Sequence, residues 1–356
     1  MDIFIHIGGS ITMKLFRTIV VVVAIVSALW GIVDTGSAST TESPIGFSVA
    51  ANIPENQRNK NESYFNLNMN SNTSQDLKAT IFNVTNHEIK VEMAIHTAHT
   101  NENGVIEYVH PLKKADASLK YRMNNITQIN GSKIVTVPAQ GKKQVIATVQ
   151  IPKTKFEGVI QGGWFFQKVD DKVTGGVEGT LNVKSKYSYV IGLSYTLGKV
   201  PEPNLMLDSV EPGLENYHQS IFSNLRNTAA VMIPHIYTDT TITNKNTGKV
   251  IEREKKENVQ MAPNSGYHYP ISTHDKDLQA GNYHLHMVAK NNQHQWIFDR
   301  DFTITRKMAK KYNRAAVINH RVNIWWFVLS GALGMLLLCI IGSYIYIKIR
   351  RRSQKM

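Results

Sequence analysis

Hydrophobic and polar residues alternate with a period of two in many short runs between Gly46 and Thr305, where sustained helical periodicity is rare. Asn, Gly, Asp and Pro interrupt these runs, as they do at turns between strands. Many short strands without intervening helices are typical of β-sandwiches. The pattern therefore predicts an all-β fold made of two tandem Ig-like β-sandwich domains.

The alternating runs form two series, which place the first sandwich at 46–167 and the second at 181–305. Strands of the first series are predicted at 47–52, 64–69, 76–85, 89–99, 105–109, 133–138, 143–151 and 159–167. Residues 168–180 are rich in Gly and Asp, which predicts a linker. The second series begins near Leu181, with later strands predicted at 205–210, 229–237, 239–244, 249–259, 266–271, 283–290 and 295–304.

Two local patterns support this assignment. Asn103-Gly104 lies between two alternating runs and predicts a two-residue hairpin turn, because both central positions of the favoured turn need a positive φ. Tyr283 opens a late strand two residues after Gly281, which is similar to the tyrosine corner of Ig-like sandwiches. On that strand, Tyr283 and every second residue after it are expected to face the core.

The N-terminal segment 1–38 is predicted to be a secretory signal peptide. Two basic residues precede an apolar run at 19–33, and small residues lead up to a cleavage position after Ala38. The first twelve residues carry no positive charge. We therefore expect translation to begin at Met13.

The C-terminal segment is predicted to anchor the chain in a membrane. Residues 324–347 form a run of 24 without a charge, which as a helix spans about 36 Å and exceeds the hydrocarbon core of about 30 Å. Residues 306–323 before it are basic and predict a short helical stalk, and residues 348–356 form a basic cytoplasmic tail. This order predicts a single-pass protein with its ectodomain outside.

The charge is concentrated at the same end. The chain carries 40 Lys and Arg against 27 Asp and Glu, but residues 306–356 alone hold eleven basic and no acidic residues. No nucleic-acid partner is expected, because a nucleic-acid-binding protein needs a basic patch on its folded domain to neutralise the phosphates. The one cysteine, Cys339, lies in the predicted membrane span, and a large exported region without disulfides favours a bacterial protein.

Motifs for catalysis are missing from the sequence, which contains no G-x-S-x-G, no H-E-x-x-H and no glycine-rich nucleotide loop. His284 and His286 share a strand face, but a metal site needs further ligands, so solvated imidazoles are the simpler interpretation. Asp299 and Asp301 also share a face, where a polar strand surface is simpler than a calcium site. We therefore expect a non-enzymatic protein without a metal or another cofactor.

Two groups of residues are candidates for binding a ligand or partner. Pro54, Glu55, Asn56 and Gln57 form a polar turn that can present carboxylate and amide groups, and a purely structural turn is equally compatible. Trp164 is either an exposed aromatic platform or a core residue, and its alternation with Phe166 favours the core.

Ten stretches of the sequence resemble the bacterial WxL-interacting proteins. In the first domain they are FSV (47–49), IPENQ (53–57), YFNL (64–67), TAHTNENGVIEY (97–108) and FEGVIQGG (156–163). In the second they are KYSYVIGL (186–193), QMAPNS (260–265), AGNY (280–283), WIF (296–298) and FTI (302–304). Trp164 and His99 depart from the residue types expected of this family.

The resemblance implies a peptidoglycan-binding domain followed by a host-binding domain, on a protein in the membrane and cell wall of a Gram-positive bacterium. Its implied partners are peptidoglycan, WxL-domain surface proteins and host extracellular-matrix proteins. Two alternatives remain open. One is a wall-active hydrolase that uses carboxylates such as Asp170 and Asp171. The other is a signal-receiving ectodomain, which the nine-residue tail disfavours because it is too short to fold.

Overall fold

The computed structural model describes residues 46–169, 187–317 and 329–342. Strands dominate these ranges, and the all-β fold class is confirmed. The predicted signal peptide and cytoplasmic tail lie outside the described residues. The same holds for residues 170–180 of the predicted linker, residues 181–186 at the start of the predicted second range, residues 318–323 of the stalk and both ends of the predicted membrane span.

The first sandwich consists of two sheets and a small two-stranded ribbon. Its strands are β1 (Phe47–Asn52), β2 (Phe65–Asn68), β3 (Ser74–Asn83), β4 (Ile89–Thr97), β5 (His99–Thr100), β6 (Ile106–Glu107), β7 (Thr127–Ile129), β8 (Ile134–Val137), β9 (Lys142–Gln150), β10 (Gly158–Val169) and β11 (Ser188–Leu197). One sheet has the order β1-β3-β9-β7 and the other β2-β11-β10-β4-β8, while β5 pairs with β6. A one-turn helix, Met123–Ile126, lies between β6 and β7.

Strand β11 belongs to this first sandwich, whereas the sequence pattern placed its residues in the second range, 181–305. It pairs antiparallel with β10 over ten residues, from Ser188 opposite Gln167 to Leu197 opposite Gly158. On its other side it pairs parallel with β2. Alternation reveals that a strand exists but not which sheet it joins, because the partner strands lie far away in the sequence. The domain boundaries themselves stay a prediction.

Large aromatic side chains fill the core between the two sheets. Trp164, Phe166 and Tyr195 have essentially no exposed surface, and the Trp164 and Phe166 ring centroids are 5.1 Å apart. The Tyr195 hydroxyl forms a hydrogen bond of 3.1 Å with the hydroxyl of Thr127 in the opposite sheet. Trp164 and Phe166 therefore share the inward face, as their alternation indicates.

The second sandwich is formed by the remaining seven strands. They are β12 (Leu205–Glu215), β13 (His218–Asn227), β14 (Ile233–Asn244), β15 (Val250–Met261), β16 (Ser265–Ser272), β17 (Gly281–Lys290) and β18 (Gln295–Ile304). One sheet has the order β12-β13-β16 and the other β15-β14-β17-β18. Tyr283 is buried, and its hydroxyl donates a hydrogen bond of 2.9 Å to the carbonyl of Gln279, which is the backbone contact of a tyrosine corner.

Two strands of this sandwich differ from the sequence prediction. Strand β13 was not predicted, because two of its inward positions carry the polar residues Ser223 and Asn227 while Phe222 faces outward. These exceptions hide the alternation between apolar and polar residues. Strand β14 runs continuously through the position where two separate strands, 229–237 and 239–244, were predicted.

The predicted basic stalk begins with a helix, Arg306–Ala315, but this helix packs on the second sandwich. Ala309 is buried, and Met308 and Tyr312 contact the core of that sandwich. The Asn313 side chain exchanges hydrogen bonds of 2.9 Å with the backbone of Leu278 in both directions. The helix is therefore part of the sandwich structure.

Residues 329–342, inside the predicted membrane span, are helical. Within the three described ranges, no helix is both long enough and apolar enough to cross a membrane.

Candidate functional site

The ribbon of β5 and β6 is a hairpin that projects from the first sandwich. Its turn is closed by a hydrogen bond of 3.0 Å from the Gly104 amide to the Asn101 carbonyl. The predicted hairpin is present, but only Gly104 of the Asn103-Gly104 pair has a positive φ, of 72°. The Asn101 side chain also stabilises the turn, since its Oδ1 accepts hydrogen bonds from the amides of Asn103 and Val105.

This hairpin is fastened to the second sandwich by a closed set of hydrogen bonds. The Ala262 amide donates to Thr100 Oγ1 at 3.0 Å, and the Thr100 hydroxyl lies 2.8 Å from Ser265 Oγ. Ser265 in turn donates to the Ala262 carbonyl at 2.8 Å. At the turn, the Gly104 carbonyl accepts a hydrogen bond of 2.7 Å from the Gln260 amide. The contact is specific because each of these buried polar groups is satisfied by another.

An ion pair joins the two sandwiches beyond the hairpin. Arg226 on β13 donates to both carboxylate oxygens of Asp116, from Nε at 2.7 Å and from Nη2 at 2.9 Å. The Asp116 side chain is only 6% exposed and also accepts hydrogen bonds from the backbone and hydroxyl of Ser118. The Arg226 guanidinium, together with Ser118, lowers the pKa of Asp116 to about 2.

A cleft of about 1000 Å³ lies between the hairpin and following loop on one side and strands β13 and β16 on the other. It has the size of a site for a small molecule or a short oligomer. Its lining residues are 98–103, 107 and 110–117 from the first sandwich, and 208, 224–226 and 264–268 from the second.

The wall from the second sandwich combines an aromatic stack with hydrogen-bonding groups. The His268 ring lies over Phe222 with 3.8 Å between ring centroids, and its Nδ1 donates to Asn224 Oδ1 at 2.6 Å. Burial lowers the pKa of His268, which keeps the imidazole neutral at physiological pH. On the opposite wall, Glu107 pairs with His110.

Two polar atoms at the cleft lack a hydrogen-bond partner. They are Nδ1 of His99 and the hydroxyl oxygen of Tyr267, a residue that is only 1% exposed. Both atoms have essentially no exposed surface, and the Tyr267 hydroxyl lies under the turn at Gly104, so a ligand in the cleft cannot reach them in this conformation. The lining offers hydrogen-bonding groups and charged groups of both signs, among them the side chains of Glu107, Asp116 and Arg226.

The predicted polar turn Pro54–Gln57 lies elsewhere on the first sandwich and is held mainly by its own side chains. Gln57 is buried, donates to the carbonyl of Tyr64 at 2.8 Å and accepts from the amide of Asn66 at 3.0 Å. Asn56 forms a reciprocal amide pair with Gln75 at 2.9 Å. Pro54 is partly buried, and Glu55 is the one residue of the four that is fully exposed.

Trp164 lies inside the first sandwich with 0% of its surface exposed, and its indole nitrogen has no hydrogen-bond partner. A side chain without exposed surface cannot contact a ligand in this conformation. Its placement among the candidate binding residues therefore disagrees with the structure, and the core interpretation agrees with it.

The histidines on β17 are hydrogen-bonded to aspartates on β18. His284 contacts Asp301 at 2.7 Å and Asp299 at 3.1 Å, and His286 contacts Asp299 at 2.8 Å. Hydrogen bonds to Asp301 and Asp299 raise the pKa of His284. In the part of the chain that the structure describes, no group of three or more His, Cys, Asp or Glu side chains is arranged to hold a metal ion.

Sequence reasoning missed the cleft and also missed an aromatic shelf on the first sandwich. On the outer face of the β11 and β10 sheet, Gly192 lies opposite Gly163, and the Tyr64 and Tyr108 side chains pack over these two glycines. Tyr64 remains 38% exposed. Burial, together with the neighbouring Tyr64, raises the pKa of Tyr108 to about 12. The glycines in FEGVIQGG and KYSYVIGL were the available signal, since a glycine inside a strand often marks close packing.

Two family models match the sequence. The model described as "WxL Interacting Protein, peptidoglycan binding domain" matches residues 47–168, and the model described as "WxL Interacting Protein, host binding domain" matches residues 178–314. Together they cover more than two thirds of the chain, in the order that the resemblance implied. The second match includes β11 and most of the helix Arg306–Ala315. No curated protein matches at a significant level.

Solved structures with a similar course of the chain include pilus chaperones. A chaperone–tip adhesin complex of CFA/I fimbriae is 10% identical, with 71% of this chain and 98% of the other covered and a TM-score of 0.30. The class 5 fimbriae chaperone CfaA is 10% identical, with coverages of 66% and 95% and a TM-score of 0.29. The Escherichia coli chaperone DraB is 13% identical, with coverages of 73% and 98% and a TM-score of 0.27.

Proposed function

Because the chain belongs to the WxL Interacting Protein family, we propose that it is a cell-surface binding protein whose first sandwich binds peptidoglycan and whose second binds a protein. The observation that carries this proposal is the position of the two matches, which follow the two sandwiches in order, apart from β11. The fastening of the hairpin supports it, because a fixed junction lets one molecule hold a wall polymer and a protein at a defined separation.

The protein partner that we propose is a WxL-domain surface protein, and host extracellular-matrix proteins are a second class of partner. The edge strands of the second sandwich are suited to binding a partner protein, because an added strand satisfies their free backbone groups. The single-pass anchor at 324–347 and the signal peptide at 1–38 remain part of the proposal. They would hold the ectodomain in the cell wall of a Gram-positive bacterium.

We propose that the protein acts without catalysis. Support comes from the two family matches, both of which are described as binding domains. The carboxylates invoked for the hydrolase alternative, Asp170 and Asp171, lie outside the described residues. A signal-receiving ectodomain has no specific structural observation in its favour.

The proposal is tested with the purified full chain in a mild detergent. The chain is sedimented with peptidoglycan sacculi across a salt series, and a WxL-domain protein is offered to the bound fraction. Saturable, salt-tolerant co-sedimentation and recruitment of the WxL-domain protein are expected. Failure to bind sacculi contradicts the first half of the proposal, and failure to recruit contradicts the second. Release of soluble muropeptides during the assay would instead support the hydrolase alternative.

A further inference from the structure

The cleft between the sandwiches differs from the aromatic shelf in the ligand it suits. Its lining contains no fully exposed tyrosine, tryptophan or phenylalanine ring, since Tyr267 is buried and Phe222 lies under His268. A flat exposed ring is the usual platform for a sugar face, whereas this cleft offers charges and hydrogen-bonding groups. Its chemistry therefore suits a peptide better than a glycan.

Free charges of both signs surround the cleft. Lys113 and Lys114 are exposed on the loop after the hairpin, and Glu102 is exposed at the hairpin turn. None of these three forms an ion pair within the described ranges. A ligand that carries a carboxylate and an amine along a short chain can pair with both kinds of group.

The hairpin adds a group that a peptide backbone can satisfy. The Asn103 side chain is exposed at the hairpin turn, within the lining of the cleft. Its amide can donate to a peptide carbonyl and accept from a peptide amide. The walls are held by the Asp116–Arg226 pair and by the hydrogen bonds at Thr100, so little ordering is needed when a ligand enters.

We propose that this cleft binds a short peptide that carries free carboxylate and amine groups, and that in the cell wall this ligand is the peptide stem of peptidoglycan. The inference rests on the proposed function and makes it more specific. It places wall recognition at the junction of the two sandwiches, with Lys113 and Lys114 pairing the stem carboxylates and Glu102 pairing its amine. A volume of about 1000 Å³ accommodates a stem of four or five residues but not a folded protein.

The test is calorimetric titration of the full chain, in detergent at low salt, with the free stem tetrapeptide L-Ala-γ-D-Glu-L-Lys-D-Ala. The variant K113A/K114A removes both exposed cations from the cleft, and K142A/K143A removes an equivalent exposed pair from β9 as the control. We expect the unmodified chain to bind, the cleft variant to bind about tenfold more weakly and the control to bind normally. Equal binding by both variants overturns the proposal.

A second variant addresses the acidic side of the cleft. Glu102→Gln removes the exposed carboxylate that is proposed to pair with the amine of the peptide, so the thermal midpoint should not fall, while the affinity for the tetrapeptide should fall about threefold. Unchanged affinity in this variant and in K113A/K114A together excludes the cleft as the peptide site.

Binding to intact sacculi and to glycan strands without stems distinguishes this inference from the broader proposal of peptidoglycan binding. If the unmodified chain binds intact sacculi and also binds glycan strands freed of their stems by an amidase, while the tetrapeptide does not bind, the cleft proposal fails and peptidoglycan binding stands. Loss of binding when the stems are removed supports the proposal. Failure to bind intact sacculi removes the function on which the inference rests.

Discussion

At the scale of single residues, Asp116 is the side chain on which the contact between the sandwiches depends most. It is almost completely buried and accepts two hydrogen bonds from Arg226 and two from Ser118. Asp116→Asn keeps the shape of the side chain but removes its charge and one acceptor. We expect the free energy of unfolding to fall by about 2 kcal/mol, as for other hydrogen bonds to charged groups.

Urea denaturation followed by circular dichroism measures this loss. Asp208 supplies the control, because it lies 3.9 Å from Arg226 and its side chain is 61% exposed. Asp208→Asn should change stability by less than about 0.5 kcal/mol. Equal losses in the two variants would mean that the bidentate pair has no special role.

Gln57 provides a second test at this scale, because the turn Pro54–Gln57 was assigned both a structural and a binding interpretation. Gln57→Ala removes buried hydrogen bonds to the backbone of Tyr64 and Asn66, and should cost about 2 kcal/mol of stability. Glu55→Ala, at an exposed position, should leave stability unchanged. Weaker sacculus binding by the stable Glu55→Ala variant would show that the turn contacts the wall, and unchanged binding leaves it a structural turn.

At the scale of elements, the turn of the β5–β6 hairpin depends on glycine for two reasons. Gly104 has a positive φ, and a Cβ atom there would lie 3.0 Å from the Tyr267 hydroxyl and 3.1 Å from a Val259 methyl. Gly131 also has a positive φ, of 78°, but nothing lies within 4 Å of the Cβ position.

A comparison of alanine substitutions at Gly104 and Gly131 separates the cost of backbone strain from the cost of packing. Gly131→Ala should cost about 1 kcal/mol from strain alone, and Gly104→Ala should cost about 1 kcal/mol more because the hairpin must move away from the second sandwich. Thermal denaturation of the two variants under the same conditions measures the difference. Equal thermal midpoints would mean that the hairpin accommodates the added Cβ atom without a further loss of stability.

Strand β11 is the element whose removal should affect the first sandwich most. A chain that ends at Val169 lacks β11, so the hydrogen-bonding edges of β10 and β2 and the inner face around Trp164 are left uncovered. We expect residues 46–169 to aggregate, whereas residues 46–200 should be soluble and unfold cooperatively. Size-exclusion chromatography and thermal denaturation compare them. A folded, monomeric 46–169 fragment with the same thermal midpoint would contradict this assignment.

The elements also show what the sequence can predict. Alternation correctly predicts Trp164 in the core and Tyr283 in its corner, because burial on one strand face depends on neighbours in sequence. It does not predict β13, where Ser223 and Asn227 point inward, or the sheet that β11 joins. The cleft was also missed, because Asp116 and Arg226 lie 110 positions apart and nothing in the local pattern connects them.

At the scale of the whole molecule, the junction should make the two sandwiches unfold together at neutral pH and separately in acid. Asp116 has a pKa of about 2 in the folded protein and near 4 when unfolded. Its contribution is therefore fully present above about pH 4 and is lost as the pH falls from 4 towards 2. Calorimetry should give one transition at pH 7 and a broadened or split transition near pH 2.5. The Asp116→Asn variant should lose less stability over this pH interval, and an identical pH dependence in both proteins would contradict the assignment.

The position of β11 also has a mechanical consequence. This strand is the last element of the first sandwich, and the chain leaves its end at Leu197 for the second sandwich. It is hydrogen-bonded on both sides, antiparallel to β10 and parallel to β2. Tension applied along the strand from Leu197 acts perpendicular to the ladder hydrogen bonds and loads them at the same time. In this shear geometry the bonds must break together, so the first sandwich resists a pull from its C-terminal side.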